Sequence, residues 1–103
     1  MATGDAGSLH VLVLDVELRL SGAQSLKEKR SLLRPVVEGI RSRWKLSVSE
    51  IGYADKWQRS RIAVAIVAGE AGHVDRVAEQ VDRFLWSDPR VEVVSVDQRW
   101  LES

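Results

Sequence analysis

The chain of 103 residues has no cysteine and no asparagine, and only two histidines, two prolines, one phenylalanine and one tyrosine. Without cysteine there is no disulfide, no thiolate metal site and no thiol nucleophile, and the composition suits a reducing cytosol, so a cytoplasmic location is expected. The two imidazoles, His10 and His73, stand at no metal-ligand spacing from another ligand type, so no metal is expected. No Ser-His-Asp constellation and no glycine-rich phosphate motif occur. "AGEAG" at 68–72 puts two glycines ahead of a helix, but Glu70 and Asp75 would repel an anion there. No apolar run approaches the ~20 residues needed to span a bilayer, and a membrane is not an expected partner. The expectation is a non-enzymatic protein without a cofactor.

Net charge is also lacking: fifteen basic residues balance fifteen acidic ones. The balance is uneven along the chain. From Lys27 to Lys45 seven basic residues stand against Glu28 and Glu38, a local +5 flanked by acidic segments. An electrostatic docking surface, if the protein has one, lies on this stretch.

The hydrophobic pattern resolves six elements. His10 to Leu20 alternates strictly, with Leu12, Leu14, Val16 and Leu18 on one face and Val11, Val13, Asp15, Glu17 and Arg19 on the other, which is a strand buried on one side. "SGAQ" ends it. Ser25 followed by Glu28 forms a capping box, and Leu26, Leu33, Val36, Val37, Ile40 and Trp44 then recur on one side of a helix. Pro35 predicts a kink or break around residues 30–35, with Ser31 able to cap a second start. A weaker edge strand over 45–54, a turn at "DKWQRS", the most apolar strand at 61–69, a second helix bearing Val74, Val77, Ala78, Val81, Phe84 and Leu85, and a last strand over 91–100 complete the chain.

The order βαββαβ, taken as two interleaved right-handed β-α-β units, predicts the ferredoxin-like α+β fold: a four-stranded antiparallel sheet with both helices on one face. Strands one and three, the most apolar, fall at its centre. Residues 9–103 are expected to form this single domain and residues 1–8, small and polar and unlike a signal peptide, a disordered tail. Enzymes of this topology that hydrolyse acyl phosphates depend on an asparagine, which is absent. RNA-recognition domains of this topology stack bases on aromatic residues of the central strands. The exposed parity here carries no aromatic residue and two acidic ones.

That face instead shows a small aliphatic patch: Val11, Val13, Ala63, Ala65, Val67 and Val93. Such a patch is a candidate for self-association, set against scattered surface valines in a monomer. The second candidate surface is cationic. Lys27, Arg30, Arg34 and Arg41 are spaced by three, four and seven residues, which aligns them in one strip beside the apolar face of the first helix, with Lys29 in the same cluster. Such a strip can hold phosphates, or it can be a solvated flank whose aliphatic stems cover the core edge. Trp57, in the hairpin turn beside Lys56, Arg59 and Arg61, either contacts a partner or folds back over the hairpin. Trp44 and Trp100 are expected to pack.

"SLKEKRSLLRPVVEGIRSRW" after the first strand, "DKWQ" in the central hairpin and a closing "VEVVSVDQRW" together resemble the YlxP-like bacterial family, a domain of unknown function. The resemblance spans residues 9 to 102 and implies the ferredoxin-like fold reached from the pattern. The family's genes often lie with those for transcription factor NusA, initiation factor two and ribosome-binding factor A, so the resemblance implies work in ribosome assembly or translation. No catalytic residue comes with it. The partners expected on this basis are ribosomal RNA or the small ribosomal subunit, met through Lys27, Lys29, Arg30, Arg34, Arg41, Lys56, Trp57 and Arg59. The alternative is a homodimer through the open sheet face with no nucleic-acid role.

Overall fold

The computed structural model describes residues 6–101. Residues 1–5 of the expected tail, and residues 102 and 103 of the expected domain, lie outside the described residues. The elements are β1 (His10–Arg19), α1 (Leu26–Trp44), β2 (Ser47–Gly52), β3 (Arg59–Ala68), α2 (Ala71–Leu85) and β4 (Glu92–Trp100). They form one antiparallel sheet of order β2-β3-β1-β4, so β1 and β3 are central, as their apolar composition predicts.

The alternation in β1 does what period two requires. Leu12, Leu14, Val16 and Leu18 are fully buried under the helices, against Ile62, Val64 and Ile66 of β3. Leu33, Val36 and Ile40 of α1 and Val74, Ala78, Val81 and Leu85 of α2 close the core from above. Val91 and Val93 seal its end.

α1 starts at the expected cap: the Oγ of Ser25 accepts from the Glu28 amide at 3.1 Å, and Oε1 of Glu28 accepts from the Gln24 amide at 3.0 Å. The helix then runs without interruption past Pro35, so the expected break does not occur. The carbonyl that Pro35 deprives of its amide partner is that of Ser31, an exposed position where water can bond it. Leu33, Val36 and Ile40 bury one continuous line across the proline and keep both halves on the same axis. Lys45 ends the helix in the left-handed region (φ 57°), its amide bonded to the Arg41 carbonyl.

β4 departs from simple alternation. Glu17 pairs with Ser95 but Leu18 pairs with Val93, so Val94 is an extra residue at a bulge. The side chains of Val93 and Val96 consequently share the helix-facing side, and Val94 is exposed. Among the described residues, no helix is long and apolar enough to cross a membrane.

Candidate nucleic-acid interface

The outer flank of α1 carries the basic strip. Gly39 on one side of α1 meets Phe84 of α2, and Arg41 on the other side reaches the edge strand β2. Lys27, Arg30 and Arg34 share Arg41's side at helical spacing, so the strip lies on the β2 margin of the molecule, away from α2. All three are exposed. Among the described residues the ion pairs of the protein involve other cations, and these three have none.

Arg41 is in the strip but engaged. It donates to Glu38 at 3.0 Å and to the Val48 carbonyl of β2 at 2.7 Å, giving a backbone group of the edge strand a partner from the helix.

Lys29 does not belong to the surface, which corrects the expectation that it meets RNA. Its residue is only 2% exposed. The ammonium donates to the Tyr53 carbonyl at 2.6 Å and the Ala54 carbonyl at 3.4 Å, and sits 2.9 Å from Oε2 of Glu50. Ser60 donates to the same carboxylate oxygen at 2.6 Å. A lysine so buried is tolerable only because each donor is spoken for. The reason for its direction is angular: Lys29 lies on the line of Leu33, Val36 and Ile40, two positions round from Lys27.

That ammonium pins the β2–β3 turn to α1. Gln58 adds a second tie, donating to the Ala23 carbonyl at 3.0 Å while its own carbonyl accepts from Leu20. The turn itself carries Lys56, exposed, and Trp57, 51% exposed, so the tryptophan does not fold back over the hairpin. With Arg19, Asp55, Gln58 and Arg59 they line a shallow depression of about 450 Å³. Arg59 is committed elsewhere on that rim: it donates to Glu17 at 2.8 Å and to the Tyr53 hydroxyl at 2.9 Å, and its guanidinium lies 4.0 Å over the Tyr53 ring. The Glu17 bond above all holds its guanidinium above its ordinary pKa. Tyr53, which the sequence did not single out, is held by its carbonyl, hydroxyl and ring at once. This explains how a non-glycine residue keeps φ 59° there.

The open sheet face has two halves. At one end Val11, Val13, Ala63 and Ala65 are half-buried and Val67 is 61% exposed. Val93 is not among them. It is 6% exposed and belongs to the core, because the bulge at Val94 reverses the parity on which its placement rested. The other half is ionic. Asp15 accepts from Nε and NH2 of Arg61 at 2.8 and 2.6 Å and from Arg99 at 2.9 Å. The Arg61 bonds, with the charges of Arg61 and Arg99 behind them, hold the Asp15 carboxyl below its ordinary value although burial opposes this. Asp97 lies directly opposite Asp15 on β4, a like-charge pairing whose cost the two arginines bonded to Asp15 offset.

Trp44 packs as expected, edge-on to Phe84 with its indole N–H donating to Gln80 at 2.8 Å. Trp100 does not: it is 37% exposed, because it stands at the far end of an edge strand that α2 leaves uncovered. Among the described residues no group of three or more His, Asp or Glu side chains is placed to hold a metal ion.

A four-stranded antiparallel sheet of order β2-β3-β1-β4 under two helices defines a ferredoxin-like α+β domain, here with its distinctive chemistry on its surfaces. Residues 11–98 match the family described as "Protein of unknown function (DUF503)", and the chain belongs to that family. It is 31% identical over 86 residues to "Uncharacterized protein YlxP" of Bacillus subtilis (strain 168), covering 84% of this chain and 94% of that one. Among solved structures it is similar to "De novo designed protein Foldit4", with a TM-score of 0.50 and 18% identity over 90% of this chain and 98% of the other, a likeness of fold alone.

Proposed function

We propose that this protein is a non-enzymatic cytoplasmic accessory factor that docks on structured RNA, most directly on the small ribosomal subunit, through the outer flank of α1. One observation carries the reading: Lys27, Arg30 and Arg34 stand exposed in one strip, with no carboxylate paired to any of them among the described residues. Cations left unpaired in a line on a helix fit the phosphates of a nucleic-acid backbone, arginine by its fork and lysine as a point charge. The hairpin tip supplies Lys56 as a further cation and Trp57 as a face on which an unpaired base can stack. Lys29 and Arg41 hold the surface in shape without touching the RNA.

The test is co-sedimentation of the protein with small ribosomal subunits, wild type against Lys27→Glu/Arg30→Glu/Arg34→Glu. Wild type should sediment with the particles and lose affinity steeply with salt, with a log–log slope of about −0.9 for each phosphate neutralised. The triple variant should stay in the supernatant with an unchanged melting temperature. Equal co-sedimentation of the two proteins overturns the proposal.

A homodimer through the open face is the second reading, favoured by Val67 and by Leu9 and Leu101, all about 60% exposed near the end of that face. Light scattering decides it. Val13→Lys/Ala65→Lys should convert a dimer to monomers, and a wild type already monomeric at high concentration removes the reading.

A further inference from the structure

The two margins of the sheet are finished differently. β2 is short, its ladder with β3 is interrupted between Glu50 and Gly52, and Arg41 covers one of its carbonyls. Each of these features discourages another strand from pairing there. β4 is nine residues long; past its own bulge at Val94 the ladder with β1 is regular from Ser95 to Trp100, and no side chain among the described residues bonds its backbone. An antiparallel edge strand directs every second residue's N–H and C=O outward, so β4 presents a row of backbone donors and acceptors to its open side.

Beside that edge runs a groove of about 390 Å³ between α2 and β4. Val96 and Gln98 contribute its floor and Asp75, Glu79 and Asp82 its helix wall. The three acids recur at four and three residues, which aligns them along the side of α2 that faces β4. None of them forms an ion pair among the described residues. Arg76 and Arg83 lie further round the helix, away from the strand. Because α2 runs antiparallel to β4, Trp100 and Trp86, 37% and 59% exposed, fall at opposite ends of the groove.

We propose that the open edge of β4 accepts an extended, lysine- or arginine-rich segment of another protein as a fifth strand. The strand pairs through its backbone and lays alternate cations against Asp75, Glu79 and Asp82. Main-chain bonds supply the affinity and the acidic row selects the sequence, as in other cases of strand addition. Charge also argues against a second copy of this chain as occupant. Two β4 edges paired about a two-fold axis would set one acidic row against another across the seam, a like-charge contact that disfavours the pairing. The inference does not depend on RNA binding, since it uses the opposite margin.

The probe is a capped ten-residue peptide of alternating lysine and valine, titrated by calorimetry at low ionic strength, with amide hydrogen exchange read in parallel. Two further versions carry N-methyl groups on one or the other alternate set of residues, which keeps every charge but blocks one set of backbone bonds. Wild type should bind the parent peptide, slow the exchange of β4 amides, and bind one N-methylated version at least tenfold more weakly. Asp75→Lys/Glu79→Lys/Asp82→Lys should lose at least tenfold in affinity. If that triple variant is poorly folded, Glu79→Lys alone, at an exposed position, should still lose a measurable part of it.

Equal binding of all three peptides overturns strand pairing. Equal binding by a folded charge variant overturns the role of the acids. No binding by wild type, or a wild-type dimer protected along β4, overturns the proposal outright.

Discussion

Gly39 of α1 faces the ring tip of Phe84 in α2 with no space for even one methyl group between them, and this contact sets how closely the two helices approach. Phe84 cannot readily withdraw, because Trp44 stands edge-on at 5.6 Å and the Arg43 guanidinium lies 4.6 Å over its ring. Glycine to alanine inside a helix ordinarily gains about 1 kcal/mol. Here overpacking reverses the sign, and Gly39→Ala should cost about 1–2 kcal/mol in urea denaturation. In a Phe84→Ala background the same change should become stabilising; a cycle without that reversal shows that the ring is not the obstacle.

Lys29→Met removes the ammonium that ties α1 to the turn after β2, leaving Glu50 with the Ser60 hydroxyl alone, the Tyr53 carbonyl with the Lys56 amide alone, and the Ala54 carbonyl without this donor. The expected loss is about 2–3 kcal/mol, below that of a fully dry pair because Glu50 retains some contact with water. On the proposed RNA reading, affinity per folded molecule should not change, and a variant that keeps its stability but loses co-sedimentation would return Lys29 to the proposed surface.

The Asp15 carboxyl titrates below its unfolded value of about 3.9, so its contribution to stability is complete above that pH and drains as the pH falls through the lower, folded value. Asp15→Asn should therefore be less stable than wild type by about 1 kcal/mol at neutral pH, discounted for the exposure of Arg61 and Arg99. The gap should hold down to about pH 4 and close in more acid solution. Asp88, also held low by its Arg90 bonds, leaves both proteins with a shared acid sensitivity. A gap that stays constant to the lowest pH would sink the assignment.

Val67→Asp and Val93→Asp separate the two sides of the sheet. The first places a carboxylate in water on a residue 61% exposed and should change stability by less than about 0.5 kcal/mol. The second buries it in the core and should cost more than about 3 kcal/mol, read by thermal melting. Similar costs for both would remove the bulge from the account.

The fold was legible because apolar core residues recur at every second position of β1 and β3, and Ser25, Glu28 and Gly69 mark where helices and strands change over. The misplacement of Val93 has one cause, since a bulge inserts a residue without any compositional sign and flips the parity of what precedes it. Pro35 predicted a break because a proline's cost is local while the burial that overrides it is spread along the helix. Within the basic cluster, spacing separates Lys27, Arg30 and Arg34 from Lys29, whose angle already matches Leu33 and Ile40. What spacing could not supply was Glu50 and the Tyr53 carbonyl, contributed by a hairpin more than twenty residues away. The acidic row of α2 was readable as i, i+4, i+7, but its meaning appears only beside an edge strand that the helix leaves bare.

The cationic flank of α1 and the anionic flank of α2 sit at opposite lateral ends of a chain whose total charge is zero. Such a particle has a transverse electric moment. In a uniform field it feels a torque but no net force, so a polyanion would turn it with its β2 margin leading. On the proposed reading, encounter orientation is then settled before contact, with the β4 margin left pointing outward.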